Sequence, residues 1–310
     1  MHLQRTLKKE IVCSSIGLHT GRKVNMRIKP APVDTGINFV RKDLRNSDPI
    51  PAKFNNVSDT TLATSLCFKG VTVATVEHLL SAFSGMGVDN AVVELDSFEV
   101  PIMDGSALPF VNMLKDVGTY SQGKTKNFLV IKKPVSVKEG DANAVLMPAP
   151  EFKISYEIEF NHVAIGRQCC SMIFSDIKYE KEICAARTFG FLNEVEYMQA
   201  KGLALGGSLK NAVVLDGRKV INKEGLRFAD EFVKHKILDV IGDLFLLGMP
   251  IIGHFMAYKA GHHLHNLLLK ELMLKADCWE IVNCLDKEKT VHKFKSLKIP
   301  SFHILDAISF

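Results

Sequence analysis

The stretch that decides the fold reads Glu231-Phe232-Val233-Lys234-His235-Lys236-Ile237-Leu238-Asp239-Val240-Ile241-Gly242-Asp243-Leu244-Phe245-Leu246-Leu247. At about 100° per residue, Val233, Ile237, Leu238, Val240, Ile241, Leu244, Phe245 and Leu247 fill one broad apolar face, which predicts a helix over 231–247. His235, Asp239 and Asp243 fall on a stripe roughly 80° wide on the other side. An imidazole and a carboxylate at i and i+4 can reach one ion, and that pair suits zinc. Alone, the spacing reads better as an ordinary solvated helix pair. Two things shift that reading: the helix is otherwise strongly apolar, and a third donor exists elsewhere.

Working outward, Val233-Lys234-His235 has a counterpart. Val76-Glu77-His78 lies 157 positions earlier, and the same offset carries Asp104-Gly105 onto Gly261-His262. Around these points each half reads helix, strand, turn, helix. The first half predicts a helix over 74–84 stopping at Gly85, a strand over 90–95 and a helix that begins after Asp104-Gly105-Ser106 and runs to about Asp116, ending near Gly118. Earlier strands are read from the alternation of Val24, Met26 and Ile28 and over 36–40. The polar stretch 120–127 has no apolar periodicity and is read as a linker. Strands follow over 128–132, 135–137, 144–147 and 153–160, then a helical stretch over 179–186. The second half closes with the 231–247 helix, a strand over 250–258 and a helix over 263–276. We read an α+β chain of two similar domains, 1–120 and 127–310, related by duplication.

Composition narrows the class. The chain has 310 residues, 47% apolar and 24% charged, the profile of a globular protein. Its net charge of +5 is dispersed, and clusters such as Arg41-Lys42 and Lys132-Lys133 are short. A solvated surface explains this better than a nucleic-acid footprint. Seven cysteines, Cys13, Cys67, Cys169, Cys170, Cys184, Cys278 and Cys284, include no C-x-x-C pair. An odd number without that motif points to a reducing compartment. The first ten residues carry Arg5, Lys8 and Lys9 and do not read as a signal peptide. The most apolar segment, 237–258, contains Asp239, Asp243, Pro250 and His254, which a membrane span would not carry. A cytoplasmic location is expected.

The third donor is His78, preceded by Glu77. A carboxylate beside a ligating histidine is one way to place a base near the attacking water. H-E-x-x-H is absent, and a surface acid beside a packed histidine is the competing reading. Gly261-His262-His263-Leu264-His265 is either a metal-binding tract or a loop presenting one imidazole, oriented by a carboxylate such as Asp243. Ala186-Arg187-Thr188-Phe189-Gly190-Phe191 offers a hydroxyl beside two aromatics, or simply a core strand end. Gly202-Leu203-Ala204-Leu205-Gly206-Gly207 lacks the lysine and spacing of a phosphate loop.

At these residues the chain resembles a known family. Thr75-Val76-Glu77-His78-Leu79, Pro101-Ile102-Met103-Asp104-Gly105-Ser106, Ala186–Phe191 as quoted and His235-Lys236-Ile237-Leu238-Asp239 look like signatures of the UDP-3-O-acyl-N-acetylglucosamine deacetylases of lipid A synthesis. Ser15-Ile16-Gly17-Leu18-His19-Thr20-Gly21 is similar too, and the resemblance runs in order from about residue 4 to residue 280. It implies helices sandwiched between two sheets, with the active site at their junction. It implies one zinc on His78, His235 and Asp239, Glu77 as general base and His262 as general acid steadied by Asp243. Thr188 would help hold the oxyanion. Phe189, Lys236, Lys259 and Leu18 would contact the acylated UDP-sugar, and residues 192–212 would form part of a passage for its acyl chain. The products would be acetate and a free amine. The resemblance further implies a monomer without a transmembrane segment or nucleic-acid partner, with room for transient contact with the inner membrane surface. The chain departs from the pattern where Gly261-His262-His263-Leu264-His265-Asn266 replaces the usual Gly-His-Ala-Leu-Asn-Asn. Competing expectations are a zinc amidase acting on another substrate, such as a peptide, and a nucleic-acid-binding α+β protein.

Overall fold

The structure is a computed structural model that describes residues 2–283 and 297–298. Cys284 and most of the last thirty residues lie outside the described part. Strand Lys23–Pro30 turns Val24, Met26 and Ile28 inward, as its alternation requires. It pairs antiparallel with Ile11–Ile16 on one side and with Ala91–Leu95 on the other. Ala91–Leu95 continues parallel to Ile37–Arg41, which pairs with the short edge Ile50–Pro51.

The second sheet repeats this order. Val135–Glu139 pairs antiparallel with Ala142–Met147, and that strand with Ile251–Tyr258. Ile251–Tyr258 runs parallel to Phe152–Glu159, which pairs antiparallel with the edge strand Arg167–Ile173. In both halves the central strand is preceded by one helix and followed by another. These are Glu77–Met86 and Leu108–Val117 in the first half, and Glu231–Phe245 and His262–Leu274 in the second. The repeat expected from two matched points therefore extends to strand order. Asn127–Ile131 and Trp279–Asn283 widen the second sheet.

The helices fill the space between the sheets. Helices Glu77–Met86 and Glu231–Phe245 share the most extensive helix contact, and one hydrophobic core runs through both halves. Leu79, Leu80, Phe83, Ile237, Leu238 and Ile241 are all buried in it. Cutting Leu80 or Ile241 to alanine would cost about 2–5 kcal/mol. The helix backbones meet at Gly242, where a Cβ would come 2.0 Å from the Glu77 carbonyl oxygen. Only glycine allows that approach, and it lays the start of one helix along the middle of the other.

Several boundaries differ from expectation. The first helix begins at Glu77, because Thr75 holds a positive φ of 58° and Ala74 bridges to Glu99. It runs through Gly85 to a left-handed Gly87. Gly85 is interior because the Tyr179 ring packs on it, 2.1 Å from where a Cβ would stand. The supposed linker is a strand, Thr119–Thr125, paired antiparallel with Leu3–Leu7. Its side chains are largely exposed, so the ladder forms without apolar alternation. The second-half helices end earlier than read, at Phe245 and Leu274. The stretch 179–186 holds a wide π-type turn, Tyr179–Ile183. Strand Arg167–Ile173 and helix Leu192–Ala200 were not expected. The helix buries no residue, so apolar periodicity could not reveal it.

Candidate active site

The polar stripe of Glu231–Phe245 does not face solvent. His235, Asp239 and Asp243 are each only 2% exposed: His78, at the start of helix Glu77–Met86, covers the first two, and Thr64, His262 and His265 enclose the third. Nε2 of His78 and Nε2 of His235 lie 3.5 and 3.3 Å from Asp239 Oδ1. Their rings stand edge to face, with centroids 5.0 Å apart.

Three observations fit this trio to a metal. A tetrahedral ion with bonds of about 2.0–2.1 Å separates neighbouring donors by about 3.3 Å, close to both spacings. Asp239 Oδ1, the atom both imidazoles face, is buried with no hydrogen-bond partner among the described residues. Leaving a carboxylate oxygen bare there costs more than the roughly 1–3 kcal/mol of a neutral polar atom, and a cation would offset it. His235 Nδ1 lies 3.1 Å from the Ala186 carbonyl. A carbonyl only accepts, so Nδ1 carries the hydrogen and Nε2 keeps its lone pair toward Asp239. Burial pulls the His235 pKa down to about 3, which keeps the ring neutral as a ligand must be. Burial works against ionised Asp239, and with His235 neutral it is the Lys236 ammonium that favours the carboxylate form. The Lys236 Nζ sits 3.0 Å from Asp239 Oδ2.

A second group adjoins the first. Glu77 is buried, and burial raises its carboxyl above the ordinary value despite nearby His262 and His78. Glu77 Oε1 lies 3.8 Å from His262 Nε2 across the site. Behind His262, its Nδ1 is 2.7 Å from Asp243 Oδ2. Burial opposes the charged imidazole, but the Asp243 carboxylate outweighs it and, with Glu77 and Asp239, raises His262 to about 9. His262 and His265 likewise keep Asp243 ionised against its burial. A proton acceptor and a protonated imidazole thus face each other beside the donor trio.

The remaining expected residues sort by place. Phe189 stacks edge-on against Phe232, its ring is 6.3 Å from His235, and Lys236 Nζ lies 5.7 Å over it. Thr188 is clamped at the backbone, its N–H on Gly105 O at 2.8 Å and its carbonyl on Val213 N at 2.8 Å. The Leu18 carbonyl accepts from Gly206 N at 2.9 Å, so Leu18 joins the insert to the first half. Gly206 must be glycine there, since a Cβ would stand 2.2 Å from Gly17 O. Lys259 is engaged elsewhere, 2.9 Å from both Asp141 and Glu159.

One residue the sequence did not single out is Thr64. Its N–H donates to Glu77 Oε2 at 3.0 Å, and its hydroxyl donates to Asp243 Oδ1 at 2.6 Å. A single threonine holds both carboxylates of the second group, Glu77 and Asp243. No motif surrounds it, and Asp243 is 179 positions away.

A buried His-His-Asp trio beside a carboxylate and a charged imidazole, at the junction of two α+β repeats, defines the class: a hydrolase built for metal-assisted acid–base chemistry. The comparisons with known proteins give the particular family. The chain belongs to the UDP-3-O-acyl N-acetylglycosamine deacetylase (LpxC) family, which it matches over residues 4–274. It is 58% identical over 313 aligned residues to the UDP-3-O-acyl-N-acetylglucosamine deacetylase of Syntrophus aciditrophicus (strain SB), with 99% of each chain covered. It is 53% identical over 287 residues to that of Saccharophagus degradans, covering 92% of this chain and 95% of the other. The Teredinibacter turnerae protein of the same name is 53% identical over 289 residues, covering 93% and 95%.

Proposed function

We propose that this chain hydrolyses the N-acetyl group of a UDP-3-O-acyl-N-acetylglucosamine to acetate and the free amine, the committed step of lipid A biosynthesis, with one zinc ion per chain. The single observation carrying this reading is the apposition of Glu77 and His262 beside the His78, His235 and Asp239 trio. Zinc held by His78, His235 and Asp239 would supply a positive charge to polarise the amide carbonyl and acidify water. Glu77, raised by burial, is poised to take the water proton. His262 delivers a proton from Nε2 to the departing nitrogen, and Asp243 keeps that proton in place until then. An amide nitrogen leaves poorly unless protonated, so the charged state of His262 matters. Thr188 assists at the oxyanion.

The substrate contacts are part of the same proposal. Lys236 and Phe189 line the approach beside His235, Leu18 and residues 192–212 take the acyl chain, and Lys259 reaches the sugar nucleotide by exchanging its surface carboxylates. We divide the chain into domains 1–120 and 127–310, since each span contains one copy of the repeated strand order. Among the described residues no helix is long and apolar enough to cross a membrane. A cytoplasmic monomer that touches the inner membrane surface transiently and binds no nucleic acid fits this reading.

The test is an acetate-release assay on the acylated UDP-sugar, run beside peptide cleavage and elemental analysis. Deacetylation with about one zinc per chain is expected. Peptide cleavage without deacetylation would transfer the site to another amide substrate.

A further inference from the structure

Asp243 is held by more donors than its partnership with His262 requires. Thr64 Oγ1 takes Oδ1, while His262 Nδ1 and His265 Nδ1 both lie 2.7 Å from Oδ2. His265 is fully buried. Its other nitrogen, Nε2, is 3.0 Å from the Tyr156 hydroxyl, which lies 2.8 Å from the Ala260 carbonyl. Tyr156 is itself fully buried on strand Phe152–Glu159, beneath the helix that carries both histidines.

The atoms fix the tautomer. Asp243 is an acceptor, so His265 presents its hydrogen at Nδ1. Burial lowers His265 and keeps it neutral, so Nε2 can only accept, and it shares the single hydrogen of the Tyr156 hydroxyl with the Ala260 carbonyl, to which that hydroxyl also donates. A chain of contacts then runs from the sheet through Tyr156 and His265 to Asp243 and on to His262. A metal held by Asp243, His262 and His265 is the competing arrangement, since their donor atoms cluster within 4.8 Å. The 2.7 Å N···O separations argue against it. They are hydrogen-bond lengths with a proton between, shorter than the roughly 3.3 Å donor separation around tetrahedral zinc.

We propose that His265, braced by Tyr156, is a positioning residue for the deacetylation: it occupies the second lone pair of Asp243 Oδ2 and so holds that oxygen in line with His262 Nδ1. This inference rests on the reading of His262 as the acid and Asp243 as its partner. A carboxylate gripped only by Thr64 and His262 can turn about its Cβ–Cγ bond, and His262 Nε2 swings with it. With His265 in place the turn would break two buried hydrogen bonds at once. A displacement near 1 Å at a reacting group can cost about 100-fold in rate.

The test uses the full-length, zinc-loaded enzyme and steady-state kinetics on the acylated UDP-sugar. His265→Leu is expected to lower kcat about 100-fold, with KM and zinc content unchanged. His265→Asn, which keeps a donor for Asp243, should recover most of that loss. Tyr156→Phe should lower kcat several-fold, about 10-fold at most. Each effect should disappear in a His262→Ala background, because the only group being aimed is gone. Normal kcat in His265→Leu would overturn the proposal. So would a penalty of equal size with and without His262, which marks a merely structural role. Should the leucine variant not fold, Tyr156→Phe with and without His262→Ala decides in the same way, additivity refuting the proposal and its absence supporting it. Normal turnover in His262→Ala alone would refute the acid assignment itself, a result distinct from failure at His265.

Discussion

Helices Glu77–Met86 and Glu231–Phe245 hold the same place in the repeat, each leading into the central strand of its sheet, yet they spend their residues differently. The first gives chemistry only from its opening turn, Glu77 and His78; beyond it Leu79, Leu80, Ala82 and Phe83 are core, and Ser81 is bonded to the Tyr179 hydroxyl. The second gives His235, Asp239 and Asp243 from three successive turns while Ile237, Leu238 and Ile241 stay in the core. The segments after the central strands diverge further. Asp104 in the first half accepts from Ser106 N at 3.0 Å, closing a turn ahead of the helix, and pairs with Arg227 at 2.8 Å. The matching segment of the second half carries His262 and His265. The repeated strand order therefore supplies a symmetric frame, and the site divides its labour across it. Neither half holds the three donors alone, so ion binding and docking of the halves are one event energetically.

The sharpest way to break this comparison is to remove one donor from each side. His78→Ala and His235→Ala should be equivalent: zinc falls from about one per chain to near none, and turnover goes with it. Stoichiometric zinc in either variant, by elemental analysis, would show that one half suffices. Next in size is the base. Glu77→Gln should retain zinc and lose about 100- to 10,000-fold in kcat. Full turnover in that variant would return the chemistry to the second half alone.

Asp243→Asn should come third, at about 100-fold in kcat, and it carries a pH signature. On the proposed role of His262 as the charged acid, activity falls as pH rises through its pKa near 9. Removing the carboxylate that raises it moves this alkaline limb to lower pH. The same raised group adds fold stability that is fully present below its unfolded value and is lost as pH climbs through about 9. An alkaline limb left in place by Asp243→Asn would separate Asp243 from His262.

Much of the frame was legible because it rests on periodicity. The buried helix over Glu231–Phe245, the strands and the matched offset all follow from where apolar residues recur. His78, His235, Asp239 and Glu77 were legible because their residue types and the family resemblance coincide. What escaped is set by long-range packing. The strand Thr119–Thr125 takes its hydrogen bonds from Leu3–Leu7, and Gly85 stays helical because of a tyrosine 94 positions on. Thr64 is the clearest case, since its role exists only once Glu77 and Asp243 converge on it. Thr64→Val keeps the N–H to Glu77 and loses only the hydroxyl to Asp243. A drop of about 10-fold in kcat is expected, in keeping with one lost buried hydrogen bond to a charged group.

The smallest expected effect tests the asymmetry from its silent side. Asp104 sits where the second half places its histidine segment, and its side chain is 25% exposed beside Arg227 at 33%. An ion pair this open contributes modestly, so Asp104→Ala should cost about 1 kcal/mol through the lost turn and pair. That corresponds to a melting shift of a few degrees, about 2–4 °C. The site does not draw on Asp104, so zinc content and kcat should stay within about twofold, the ordinary outcome for a change confined to a partly exposed pair. A large fall in kcat with zinc retained and melting unchanged would mean that the first half's segment also serves the reaction. The division of labour between the two repeats would then be less complete than the matched segments at Asp104-Gly105 and Gly261-His262 now make it.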